Sequence, residues 1–234
     1  MTLLARGGLG SVFLLLTHAL LSGQSEAPRP EATAKVPAQI SFQFEHAGLP
    51  IPQFAIHLGE DGSGRYEGEQ AERASTITSM RGEAAQHIDR TIALSPSTVE
   101  KIFRTAHELK DFNVMCASKL KNIADSGKKT LSYSGSDGQG SCVYHYSENK
   151  SVTMLTDTFM AIAYTMDEGR RLEFLHRYDR LGLDAEMITL SQEVEAGRAL
   201  ELGTISQTLT EIADDVAVMQ RARMRATKML EQAK

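Results

Sequence analysis

The chain has no tryptophan, only two cysteines and six prolines, and just 6% aromatic residues. So few cysteines exclude a disulfide-dense miniprotein scaffold. The low proline count, with 41% hydrophobic and 24% charged residues, excludes collagen-like, low-complexity and wholly disordered classes. There is no basic excess. Lys and Arg total 25 against 30 Asp and Glu, a net charge of -5, which argues against a dedicated nucleic-acid binder. No Gly-rich phosphate loop, no Gly-x-Ser-x-Gly elbow and no His-Glu-x-x-His pair occurs. No cofactor is implied, and no metal set.

No apolar run reaches the roughly 20 residues of a transmembrane helix. The longest, Leu9–Leu21, is interrupted by Thr17 and His18, follows Arg6, and is followed by small residues. A positive residue, a short apolar run and a small-residue stretch form the pattern of a cleaved secretory signal. Residues 1–27 read as that signal, with cleavage between Gly23 and Ala27. Secreted or periplasmic localisation follows, with no stable membrane span after signal removal. The two cysteines, Cys116 and Cys142, then read as a disulfide.

Residues 28–39, with three prolines, read as a flexible linker. Residues 40–148 alternate mainly with the period of strands. Ile40, Phe42 and Phe44 share one face, as do Phe54, Ile56 and Leu58, and Ile88, Ile92 and Leu94. Glu60–Gly64 and Gly135–Gly140 read as hairpin turns. Ser95-Pro96 opens a helix, because Ser accepts a hydrogen bond at the cap and Pro lacks an amide where none is needed. Val99, Ile102, Phe103 and Ala106 form its apolar stripe.

Residues 149–234 change to a helical period. Val152, Leu155, Phe159, Ile162 and Met166 are spaced three, four, three, four. Gly182 marks a stop and Asp184 a cap. Thr204 and Gln207 have capping-box spacing. One last helix is expected to carry Ile205, Leu209, Ile212, Val216, Met219, Ala226 and Leu230 on a single seam. The fold class is α+β, an antiparallel sheet with one packed helix followed by a C-terminal helical hairpin or small bundle. Solvated seams are costly, so both are expected to pack internally rather than pair between molecules.

Candidate chemistry is sparse. His57, His87 and Asp89 lie on the polar sides of predicted strands, where converging they would exchange protons or bind a metal. Against this, histidine is ordinary on a solvated sheet face. Ser-x-x-Lys occurs at Ser118/Lys121, Ser126/Lys129 and Ser147/Lys150. In penicillin-binding enzymes that spacing presents a nucleophilic serine beside a lysine, but the accompanying motifs are absent. Asp61-Gly62-Ser63-Gly64 has the flavour of a calcium loop without the terminal Glu. Arg221, Arg223, Arg225 and Lys228 either contact an anionic surface or form a solvated helix end. The favoured reading is a non-enzymatic binding or interaction module of the cell envelope or secreted space, with a macromolecular partner or self-association. The alternative is a hydrolase-type enzyme using a His/Asp or Ser/Lys site.

Overall fold

The computed structural model describes residues 37–71, 85–120 and 124–233. The expected signal, residues 1–27, and nearly all of the expected linker lie outside the described residues.

Six strands form one antiparallel sheet: β1 (Gln39–Glu45), β2 (Gln53–Gly59), β3 (Ser63–Gln70), β4 (Gln86–Ala93), β5 (Lys128–Ser134) and β6 (Gln139–Tyr144), ordered β4-β3-β2-β1-β5-β6. Alternation decides the faces. Ile40, Phe42, Ile56, Leu58, Tyr66 and Leu131 are fully buried on the inner face. Their neighbours in sequence point to the opposite, polar face.

The β2–β3 turn is held as a hairpin: the Asp61 carboxylate accepts from the Ser63 amide at 3.0 Å and its hydroxyl at 2.6 Å. Gly62 takes φ +81° there, in the left-handed region that a side chain would strain.

Helix α1 (Pro96–Glu108) begins at Ser95 as expected and buries Val99, Ile102, Phe103 and Ala106. Helix α2 (Lys150–Tyr178) is capped by Asn149, whose side chain accepts from the Ser151 and Val152 amides. Its seam of Val152, Leu155, Phe159, Ile162 and Met166 is buried, and α2 crosses the whole inner face. Thr156 meets the Tyr144 hydroxyl on β6 at 2.6 Å, and Phe159 stacks on Phe42 of β1 at 5.1 Å. The Tyr66 hydroxyl of β3 donates to Asp167 at 2.6 Å, and Arg90 of β4 donates to Glu173 at 2.8 Å.

Beyond Leu172 the same helix enters a second hydrophobic cluster. This is shared with α3 (Leu183–Glu195), a 3-10 turn (Leu202–Ile205), α4 (Ser206–Asp214) and α5 (Gln220–Gln232). Ile212 is fully buried within the chain.

Three local expectations are corrected here. The last helix is two helices, because the Asp215 carboxylate accepts the Ala217 amide at 2.9 Å and turns the chain. Val216 then points outward at 84% exposure while Val218 is buried. The Thr204/Gln207 box does not form: Thr204 donates its hydroxyl to the Glu201 carbonyl at 2.8 Å, and α4 starts without a side-chain cap. Asp184 is not a cap either. Gly182 holds that position, and Asp184 sits buried in the first turn, paired with Arg221 at 2.7 Å and with Arg225. Arg223 donates to the Ala213 carbonyl at the end of α4, at 2.9 Å. Three of the four C-terminal cations thus tie α5 to its neighbours.

Candidate functional site

His57, His87 and Asp89 all lie on the polar face of the sheet, each with a separate partner. His57 Nδ1 is 2.8 Å from the Ser41 hydroxyl and His87 Nδ1 is 2.7 Å from Glu69. Arg65 donates to Asp89 at 2.7 Å. His57 pairs across with Arg65, which pairs with Thr91, four residues along β4 from His87. At about 3.3 Å per residue that offset is roughly 13 Å along the strand. The structure brings His87 and Asp89 near each other and leaves His57 apart. Glu69 raises the His87 imidazole above its ordinary range, chiefly through their hydrogen bond, and the bond from Arg65 lowers the Asp89 carboxyl. Among the described residues, no group of three or more His, Cys, Asp or Glu could hold a metal ion.

The three Ser-x-x-Lys copies fare differently. Lys121 lies outside the described residues. Ser147 is buried at 6% exposure; its hydroxyl oxygen accepts the Asn149 amide at 3.2 Å, and its carbonyl accepts the Thr153 hydroxyl. Those bonds shape the entry to α2.

Ser126 and Lys129 do meet. Lys129 Nζ, buried, lies 3.2 Å from Ser126 Oγ and 5.5 Å from the centre of the Phe44 ring. It also donates to the carbonyls of Ser126, Gly127 and His145 at 2.6, 3.0 and 2.9 Å. Burial pushes this ammonium below the usual lysine range, with Asp125 opposing. Three carbonyls favour the charged form, and the Ser126 hydroxyl donates to the His145 carbonyl at 2.7 Å rather than to the amine. A serine nucleophile needs a neutral amine as acceptor. This arrangement is a cationic clamp between the start of β5 and the end of β6.

A cleft of about 550 Å³ is lined by Lys101 of α1, Tyr146 and Ser147, Met154 and Asp157 of α2, and Leu200. Tyr146 and Ser147 in its wall follow closely on β6, the edge strand of the sheet.

The disulfide builds that edge. Cys116 and Cys142 are bonded, with Cα atoms 5.9 Å apart. The Ser118 amide donates to the Tyr146 carbonyl at 2.9 Å, and the Ser118 hydroxyl to Glu148 at 3.0 Å. The segment after α1 is thereby strapped across an edge strand that would otherwise present unpaired backbone groups. Lys110, Asp111 and Phe112 steer it there with φ of 53°, 56° and 64°. Three non-glycine residues in the left-handed region cost roughly 1–2 kcal/mol each. Burial of Phe112, the His107–Asp111 bond at 2.9 Å and the Asn113 bond to the Gln139 carbonyl at 2.8 Å offset that cost. Gly140 leaves the room: a Cβ there would sit 2.1 Å from the Asp111 carbonyl.

The strap and the β6 segment together carry four exposed large apolar side chains. Met115 is 72% exposed, Leu120 59%, Val143 52% and Tyr146 46%. Sequence reasoning missed them because exposure is not a property of residue type. The only signal available was the cysteine pairing, which joins the two segments.

No protein-family model matches this chain, and no curated protein is similar to it.

Proposed function

We propose that this is an exported, non-enzymatic binding module of the cell envelope or secreted space, docking a macromolecular partner along its disulfide-strapped edge and the adjoining cleft. One observation carries the reading: Met115 and Leu120 on the disulfide-joined strap and Val143 and Tyr146 on the β6 segment are exposed, and Tyr146 lines the cleft. Exposed apolar side chains gathered on joined segments are the chemistry of an interaction surface. The backbone there is covalently stapled and hydrogen-bonded, so these side chains are presented with little ordering cost on binding.

The leader pattern at residues 1–27 and the Cys116–Cys142 bond support export. Among the described residues no helix is long and apolar enough to cross a membrane. The nearest approach to hydrolase chemistry is the Ser126–Lys129 contact, and there the lysine donates to carbonyls.

A photo-cross-linking residue placed at Tyr146 in the native host tests the proposal. A discrete adduct is expected from that position, and none from the exposed Lys228 of α5. Failure to form an adduct at Tyr146 overturns it. So does hydrolase activity of the purified protein that Ser126→Ala or His57→Ala abolishes.

A further inference from the structure

Two carboxyl groups face each other between α2 and α3. Glu168 is 7% exposed, and its Oε1 is buried with no hydrogen-bond partner among the described residues. The acid beside it is Glu186 of α3, whose carboxylate is bonded by Arg171, one turn along α2 from Glu168. The Glu186 side chain is itself 12% exposed and accepts from Arg171 at 2.7 Å. A buried acceptor without a donor is costly, and two facing carboxylates repel. One proton held between them removes the repulsion and leaves Glu168 an uncharged acid, which burial penalises far less than a carboxylate.

We propose that Glu168 and Glu186 form a proton-operated joint: sharing one proton they hold α3 against α2, and when that proton leaves the α2–α3 contact loosens. The surroundings offer no second route to neutrality. From α2, Arg171 already serves Glu186, and Asp167 adds a negative charge nearby. Asp167 is itself raised to about 6 by burial, with the Tyr66 hydroxyl of β3 and Arg170 opposing. Tyr164 of α2 is a phenol pushed up to about 12, chiefly by burial and by Glu168. From α3, Glu193 is paired with Arg198 at 2.5 Å. Asp184 is taken by Arg221 and Arg225 of α5. The 3-10 turn contributes Ile205, packed on Gly169, and no charge. From α4, Thr208 reaches Glu173 rather than the pair.

Burial first, then Glu186, raises the Glu168 carboxyl from 4.5 to about 8, with Arg171 opposing. A carboxyl raised on folding binds more protons in the native than in the unfolded chain. Its contribution is therefore fully present below the ordinary value and is lost as pH rises toward about 8. Loosening of α3 exposes the apolar cluster around Leu172, Leu183, Met187 and Leu190.

Amide hydrogen exchange of residues 183–195, corrected for intrinsic rates, tests the joint. Between about pH 6 and pH 9, protection in the intact protein is expected to fall by about tenfold or more, and by less than about twofold in Glu168→Gln. The neutral amide keeps the shape and supplies a permanent donor. Should that variant not fold, Glu186→Gln serves the same comparison. An NMR pH titration of the Glu168 side-chain carboxyl carbon in the unaltered protein provides an independent reading. Protection that is flat across this range overturns the proposal, as does an equal loss in the glutamine variants or a Glu168 carboxyl with no inflection above about pH 6.

Discussion

Replacing Glu201 by alanine weakens the cap of a helix that opens at Ser95, 106 residues earlier. The Glu201 carboxylate accepts from the Ser95 amide and the Ser95 hydroxyl, both at 2.7 Å, and from the Thr98 hydroxyl. These are the donors at the N-terminus of α1, so the segment before the 3-10 turn closes a cap that Ser95 only begins. Charge-assisted hydrogen bonds contribute roughly 1.5–3 kcal/mol each, less when they share one acceptor, and the helix dipole adds about 0.5 kcal/mol. Glu201→Ala is therefore expected to cost about 3 kcal/mol. Opposing this, Glu201 sits at φ 58°, ψ 50°, a left-handed conformation costing a side chain roughly 1 kcal/mol. Glycine loses the same bonds but not that penalty. Urea unfolding followed by circular dichroism is expected to rank wild type above Glu201→Gly, and Glu201→Gly above Glu201→Ala by about 1 kcal/mol. For a chain of this size the alanine variant melts about 6–12 °C lower. An alanine variant within about 0.5 kcal/mol of wild type refutes the cap, and a glycine variant less stable than alanine refutes the strain argument.

Ile212, fully buried between α4 and its neighbours, is expected to lose about 4 kcal/mol or more on change to Asp, because an unpaired charge replaces apolar packing. Sedimentation and a thermal melt would contradict internal packing if that variant were a stable monomer from a dimeric parent. Cys116→Ser with Cys142→Ser opens a loop spanning 26 residues, worth about 3.5 kcal/mol in the chain-entropy model. Limited proteolysis of the variant is expected to cut first within residues 113–120. Unchanged resistance there would show that the hydrogen bonds alone hold the edge.

Much of this architecture was legible in the residues because it depends on local periodicity. Strand alternation placed Ile40, Phe42 and Phe44 inward, and three-four spacing placed Val152 to Met166 on one internally packed seam. Ser95-Pro96 announced α1, and cysteine number and spacing announced the disulfide. These signals sit within one element, or in a pair of residues that have one chemical option. The break at Asp215 was not legible, because the turning carboxylate is also held by His176 of α2 and by Arg180 just past its end, at 2.9 and 3.0 Å. Arg90 falls on the inward side of β4 and reads as an error until Glu173 arrives from α2. The left-handed turn at Lys110–Phe112 carries no glycine to signal it, and is offset by Phe112 burial, the His107–Asp111 bond and the β6 edge. The Ser126–Lys129 contact and the Glu168–Glu186 pair were decided by folding alone. A charge's worth depends on what faces it and on how far water is excluded, and both are set by distant chain segments. So the sequence by itself determined the period, and therefore the elements and their buried faces. Only the tertiary structure decided which polar groups meet, since proximity across the chain has no signature in local spacing.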